Sequence, residues 1–180
     1  MKPYVVKVLQ LDNWDEKVSG LWLDENEDWM LLRSIHDYRP DGYLLVAKRF
    51  IVSETPKNKK LLQTARVLKL KGVDNAAPAN FAFGSIPAML QWIEQHYKVF
   101  QFQDEEDTSF CGQLRDYDEI DYQINSLSPS AELDLDYDLW FAFKDLVTIE
   151  FDSDYLNSLK LLWQDKVKRK WKLDQRNHCN

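Results

Sequence analysis

Three histidines, two cysteines and thirty acidic residues are the groups with which this 180-residue chain could do chemistry. His36, His96 and His178 share no ligand-like spacing, so they do not make a zinc pattern. The acidic runs DEEDTS (104–109) and DLDYD (134–138) could attract a hard cation, but neither has the twelve-residue loop with an internal Gly and a closing Glu. They read as solvated turns. Cys111 stands beside Gly112 in the acidic part of the chain, and a reactive thiolate needs electropositive surroundings, so it reads as a small buried residue. Ser34 and Ser126 recur in similar contexts without an accompanying histidine, which fits strand-end hydrogen bonds better than a catalytic triad. Among thirty carboxylates an adjacent pair carries no information about acid–base catalysis. Only five glycines are present, with no Walker or dinucleotide fingerprint. No metal, cofactor or catalytic residue is expected; an enzyme of unknown type is the least supported class.

Charge offers two further candidates. Residues 97–163 hold four basic and sixteen acidic groups, net −12, while residues 164–180 are net +4. In the acidic part Leu133, Asp134, Leu135, Asp136, Tyr137 and Asp138 alternate, as an edge strand with one apolar face would. Asp134, Asp136, Tyr137 and Asp138 are therefore the candidate contacts for a basic protein partner. Lys168, Arg169, Lys170 and Trp171, in KVKRKWKL, could hold phosphates and stack a base, or dock on the acidic half of the same chain. The acidic surface opposes a phosphate backbone, so nucleic acid is the unfavoured partner.

These candidates need elements to hold them. YVVKVLQL, SGLWLDE and DWMLLRSI read as strands, the last buried on both faces. Pro40-Asp41-Gly42 predicts a turn, and YLLVAKRFIVS predicts closing strands broken near Lys48-Arg49. Two helices follow, over 58–72 and 85–97, with Ser85 as cap and Pro87 in the first turn. KVFQFQ, FCGQLRDYDE, DYQINSL and LWFAFKDLVTIEF then repeat the strand pattern. A helix over 153–173 closes the chain with Leu156, Leu159, Trp163, Val167 and Trp171 on its apolar face. Trp22, Trp29, Trp92 and Trp140 fall in predicted core elements.

SGLWLDENEDWMLLRSI (19–35) lies over CGQLRDYDEIDYQINSL (111–127) without gaps, placing Gly20 on Gly112, Asp24 on Asp116 and Ser34 on Ser126. Leu32 and Ile124 should then be buried equivalents. Matching Lys48 to Lys144 extends the agreement to the closing strands with an offset of 96. The pattern predicts an α+β chain of two tandem small β-barrels, with a single larger β-rich domain as the alternative. The expected divisions are a first barrel over 1–57, a helical linker over 58–97, an acidic barrel over 98–152, and a C-terminal helix with basic tail over 153–180.

The order of a Gly-containing strand, a long apolar strand, a loop and closing strands resembles the Sm-like and SH3-like small barrels. Gly112, Leu114 and Asp118 carry the Sm spacing, preceded by a helix. The chain is also similar, over about residues 1–165, to uncharacterised bacterial proteins made of two such halves. Where RNA-binding Sm proteins have a Met-Asn-Leu stretch, this chain has Trp29-Met30-Leu31 and Ile120-Asp121-Tyr122, and the later Arg-Gly element is missing from both halves. The resemblance thus implies a fold and no site residue.

The expected function is a non-catalytic protein–protein interaction or adaptor module, with an immunity-type role as one variant. The alternative is binding of RNA or single-stranded nucleic acid through the first barrel and the basic tail. No apolar run reaches the roughly 20 residues of a membrane span and no signal peptide is recognisable, which predicts a cytoplasmic protein with reduced thiols.

Overall fold

The computed structural model describes residues 2–178; Cys179 lies outside them. Five strands come first: β1 (Val6–Leu11), β2 (Val18–Glu25), β3 (Trp29–His36), β4 (Arg39–Ala47) and β5 (Ile51–Glu54), with a 3-10 turn at Lys48–Phe50 between the last two. The helices α1 (Lys59–Leu70) and α2 (Ile86–Tyr97) follow. Then come β6 (Phe100–Glu105), β7 (Thr108–Tyr117), β8 (Asp121–Leu127), β9 (Leu133–Asp134), β10 (Trp140–Ala142), a second 3-10 turn at Phe143–Asp145, β11 (Thr148–Phe151) and α3 (Asp154–His178).

All eleven strands form one antiparallel sheet in the order β10-β8-β7-β6-β11-β4-β3-β2-β1-β5, with β9 also paired to β8. The protein is α+β, and the sheet is open. No closed barrel forms among the described residues: β4 pairs with β11 across the two halves and not with β5 of its own half.

The two halves nevertheless repeat one pattern. Their strand orders, β5-β1-β2-β3-β4 and β11-β6-β7-β8-β10, correspond strand for strand. Gly20 faces Ser34 and Gly112 faces Ser126; Trp22 faces Leu32 and Leu114 faces Ile124. Each hairpin then shifts register at the same place, before Asp24 and before Asp116. Leu32 and Ile124 are both fully buried. The closing strands differ from expectation by one residue. Ala47 and Ala142 each begin a 3-10 turn, so Arg49, not Lys48, corresponds to Lys144, at an offset of 95. The sequence match was drawn to two identical lysines, whereas pairing to the neighbouring strand fixes the true register.

The turn expected at Pro40-Asp41-Gly42 lies earlier. Asp37 and Tyr38 take positive φ and join His36 to Arg39, so Pro40, Asp41 and Gly42 belong to β4. Gly42 has φ +56 for another reason: a Cβ there would meet the backbone N of Ser153 at 2.6 Å and the carbonyl of Phe151 at 2.7 Å. It lets the start of α3 cross β4.

Local chemistry sets the helix limits. The Asn58 side chain accepts from the Leu61 N–H at 3.1 Å to open α1, and Gly72 at φ +67 follows its end. Ser85 caps α2 through Ala88 N–H at 3.4 Å. Ser153 Oγ accepts from Leu156 N–H at 3.3 Å at the start of α3. The core is continuous across the halves: Leu21, Leu31 and Leu45 share a cluster with Leu68 of α1, Ile93 of α2, and Phe102 and Ile149 of the second half. Among the described side chains, α3 packs into the core through Leu156, Leu159 and Trp163, and Val167 and Trp171 are exposed. The apolar face expected to run to Trp171 therefore ends about two turns earlier, at Trp163. Trp29 is buried, Trp22 and Trp92 are partly buried, and Trp140 is exposed, contrary to its expected place in the core.

Candidate interaction surface

The β8–β10 end of the sheet gathers most of the acidic candidates. The β7–β8 turn is organised by Asp118, whose carboxylate accepts from the N–H groups of Ile120 at 2.7 Å and Asp121 at 2.8 Å. Those two bonds stabilise the anion and lower its pKa. Asn26 makes the corresponding turn in the first half, accepting from Asp28 and Trp29 N–H. Both bonds go to Asp118 Oδ1, and Ile120 in the same turn is 68% exposed.

Opposite this turn, residues 133–138 form a strand only at Leu133–Asp134; beyond that the predicted alternation becomes a loop. Asp134 Oδ1 accepts from Asp136 N–H at 3.0 Å, closing a local turn that breaks the strand. Arg115 donates to the Tyr137 carbonyl at 3.1 Å and Gln123 to the Asp138 carbonyl at 3.3 Å, which pins the loop along β7 and β8. Asp134, Asp136 and Asp138 are exposed. Tyr137 is not: its ring lies 6.5 Å from Phe141, and burial, with Asp134 and Asp138 beside it, raises the phenol pKa. Leu139 and Trp140 leave the loop 51% and 48% exposed. The result is a bare strand edge with apolar side chains set among carboxylates.

The basic candidates lie elsewhere. Lys168, Arg169, Lys170 and Trp171 are exposed along α3, and Arg169 Nε pairs with Asp165 one turn back at 2.8 Å. Lys166 reaches the acidic half, donating to the Ser130 carbonyl at 2.6 Å and to Glu132 at 3.2 Å. The structure thus separates the two candidate clusters and ties the root of the tail to the β8–β9 loop.

Three carboxylates that sequence reasoning passed over have structural roles. Glu106, in DEEDTS, accepts from the backbone N–H groups of Asp15 at 2.7 Å and Glu16 at 2.6 Å, binding the β6–β7 turn to the β1–β2 turn. Its run is therefore not wholly solvated. Glu94 of α2 accepts from Leu114 N–H at 3.0 Å, beside a cavity of about 500 Å³ between α2 and β7, and burial raises its pKa. Glu150 lines a cleft of about 320 Å³ between the halves with Ser34, His36, Gln103 and Thr148. Burial raises its pKa, with Ser153 opposing. No motif marks any of the three: Glu106 and Glu94 answer to backbone distant in sequence, and Glu150 to burial on a strand between β4 and β6.

His96 stacks on Trp92 at 4.1 Å with Nδ1 2.8 Å from the Trp92 carbonyl, and His36 is exposed at the end of β3. Cys111 is buried, and desolvation pushes its thiol up to about 12. Among the described residues no three metal-ligating side chains come together, and no helix is long and apolar enough to cross a membrane. No protein-family model, curated protein or solved structure matches the chain.

Proposed function

We propose that the protein is a non-catalytic protein–protein interaction module whose partner-facing end is the β8–β10 edge. Each half is read as a small barrel of the Sm or SH3 kind, opened where it joins the other. One observation carries the functional reading: Leu139 and Trp140, at a strand edge unpaired among the described residues, and Ile120 in the β7–β8 turn are exposed, and Asp134, Asp136 and Asp138 are exposed in the segment leading into β10. Bare edges are hazards that proteins usually blunt, and apolar side chains on one are spent most economically on a partner. An edge of this kind recognises an extended backbone by strand addition, while the carboxylates select a basic surface. An immunity-type role, in which this acidic end masks a basic protein, is one form of the same reading. A reducing cytoplasmic setting is proposed with it, supported by the buried thiol of Cys111.

The test is capture of partners from the native cell, with nuclease, by the intact protein and by the D134K/D136K/D138K variant. Partners held by this end are lost from the folded variant and weaken as salt rises. An unchanged set from a folded variant overturns the reading. Partners lost on nuclease treatment, or on neutralising Lys168, Arg169 and Lys170, would instead favour nucleic-acid binding through the tail.

A further inference from the structure

The polar cleft between the two halves belongs to neither the β10 edge nor the basic end of α3. Its floor is made where β3, β4, β11 and β6 lie side by side, on the face of the sheet away from Leu45, Phe102 and Ile149. Ser34, Thr148, Gln103 and Glu150 stand on that floor. Glu106, which ties the β6–β7 turn to the β1–β2 turn, bounds the cleft where those turns meet.

Two properties mark the cleft. The first is Glu150. Its carboxyl is withdrawn from water between β4 and β6, and no described residue forms an ion pair with it. A carboxylate placed so costs stability unless a cation meets it. The second is the direction of the neighbouring hydrogen bonds. Ser19 Oγ donates to the Ile35 carbonyl at 3.3 Å, Thr148 Oγ1 donates to Gln103 Oε1 at 3.3 Å, and Gln103 Nε2 donates to the Glu106 carbonyl at 2.8 Å. Both hydroxyl protons and one of the two amide protons are thereby engaged within the protein. The lone pairs of Ser19, Thr148 and Gln103 remain for a ligand.

Such a lining suits a molecule that brings N–H donors and positive charge. Trp14, Val18 and Leu44 add apolar surface for methylene groups. Glu16 and Glu106 stand at the two turns, with Lys17 as the opposing charge. The volume, about 320 Å³, is that of a small-molecule pocket. One buried carboxylate does not make a metal site, and no three metal-ligating side chains come together among the described residues. We infer that the cleft binds a small aliphatic diamine. One ammonium rests on Glu150, with Thr148 and Gln103 as further acceptors. The carbon chain runs along Trp14 and Leu44, and the other ammonium lies toward Glu16 and Glu106. The site stands independently of any partner at the β10 edge.

Titration calorimetry of the full chain with putrescine, the four-carbon diamine, tests this at neutral pH and low salt, while NMR of the Trp14 indole N–H places the ligand. One saturable site is expected, with the Trp14 signal shifting over the same titration. Butylamine, with one ammonium, should bind several-fold more weakly. Tetramethylammonium, with charge but no N–H, should not bind. Glu150→Gln removes the charge with little change of shape and leaves a folded protein, as a melt will show; it should weaken putrescine by about tenfold or more. The D134K/D136K/D138K variant should bind putrescine as the intact protein does. Failure to saturate by about 10 mM putrescine overturns the inference, and so does binding unchanged by Glu150→Gln. Binding lost only in the D134K/D136K/D138K variant assigns the amine to the acidic end and overturns the cleft. Tetramethylammonium bound as tightly as putrescine reduces the effect to charge and overturns it as well. Butylamine bound as tightly as putrescine overturns the diamine and makes the cleft a receptor for a lysine side chain.

Discussion

Gly20 and Gly112 hold the same position in two hairpins, each directly across from a serine, and neither has room for a side chain. A Cβ on Gly20 would lie 2.7 Å from the Leu32 Cβ and 2.8 Å from the Arg33 carbonyl. On Gly112 it would strike the Asn125 carbonyl. The expected cost of Gly20→Ala or Gly112→Ala is about 1–3 kcal/mol, because rigid backbone must move. Chemical denaturation of both variants checks it. Glycine is needed there for close strand approach, so a change near zero would show that the approach is looser than described.

Arg49 should act as a clasp between the halves. Arg49→Ala removes the guanidinium from the carbonyls of Phe143, Lys144 and Leu146; Phe143 keeps the Leu146 N–H and the site is partly solvated, so about 1 kcal/mol is the expected loss. Arg49→Lys should recover only a fraction, since an ammonium cannot span three carbonyls as a planar fork does. Full recovery by lysine would reduce the role to charge alone.

Glu150 makes stability depend on pH. Its carboxyl pKa is raised in the folded protein by burial between β4 and β6. The folded state therefore holds this proton more tightly than the unfolded chain does. Stability from this group is greatest below the ordinary carboxylate range and is lost as pH rises through the folded pKa. Glu150→Gln should stabilise the protein at neutral pH, with the gain disappearing at low pH. Thermal melts of both proteins, from below the ordinary carboxylate range up to neutral pH, read this directly. A gain independent of pH would assign the effect to packing.

Cys111 should resist thiol reagents. Burial, with Glu150 nearby, pushes its pKa up to about 12, so little thiolate exists at pH 8. In a Cys179→Ser background, a disulfide reagent should react with the single remaining thiol only at the rate of unfolding, and promptly in denaturant. Fast native labelling would show that β7 opens locally around Cys111.

Much of this architecture was legible in the sequence because strands and helices signal locally. Periodic apolar residues marked most of the strands and all three helices, and the spacing from Gly20 to Ser34 reappeared from Gly112 to Ser126. The joint between the halves was not legible. β4 and β5 look alike as apolar runs, and nothing in YLLVAKRFIVS says that Leu45 will pair with Ile149 and not with its own half. The candidate site was read in part. The exposed carboxylates at 134, 136 and 138 were visible as charge, but the exposure of Trp140 was not, since an aromatic in a strand pattern looks like core. Glu106 and Glu150 escaped notice because a buried or bonded carboxylate is spelled like a solvated one.

The β4–β11 joint also sets a timetable for synthesis. Leu44, Leu45 and Val46 leave the ribosome about a hundred residues before Thr148, Ile149 and Glu150, the strand that covers their edge. For that interval the nascent first half carries an uncovered apolar strand, the kind of surface that draws chaperones or pairs with the wrong chain. A truncated product ending before Thr148 never covers it. Such fragments should aggregate, although they carry every strand of the first half, so the quality of this fold waits on β11, made after the other ten strands of the described sheet.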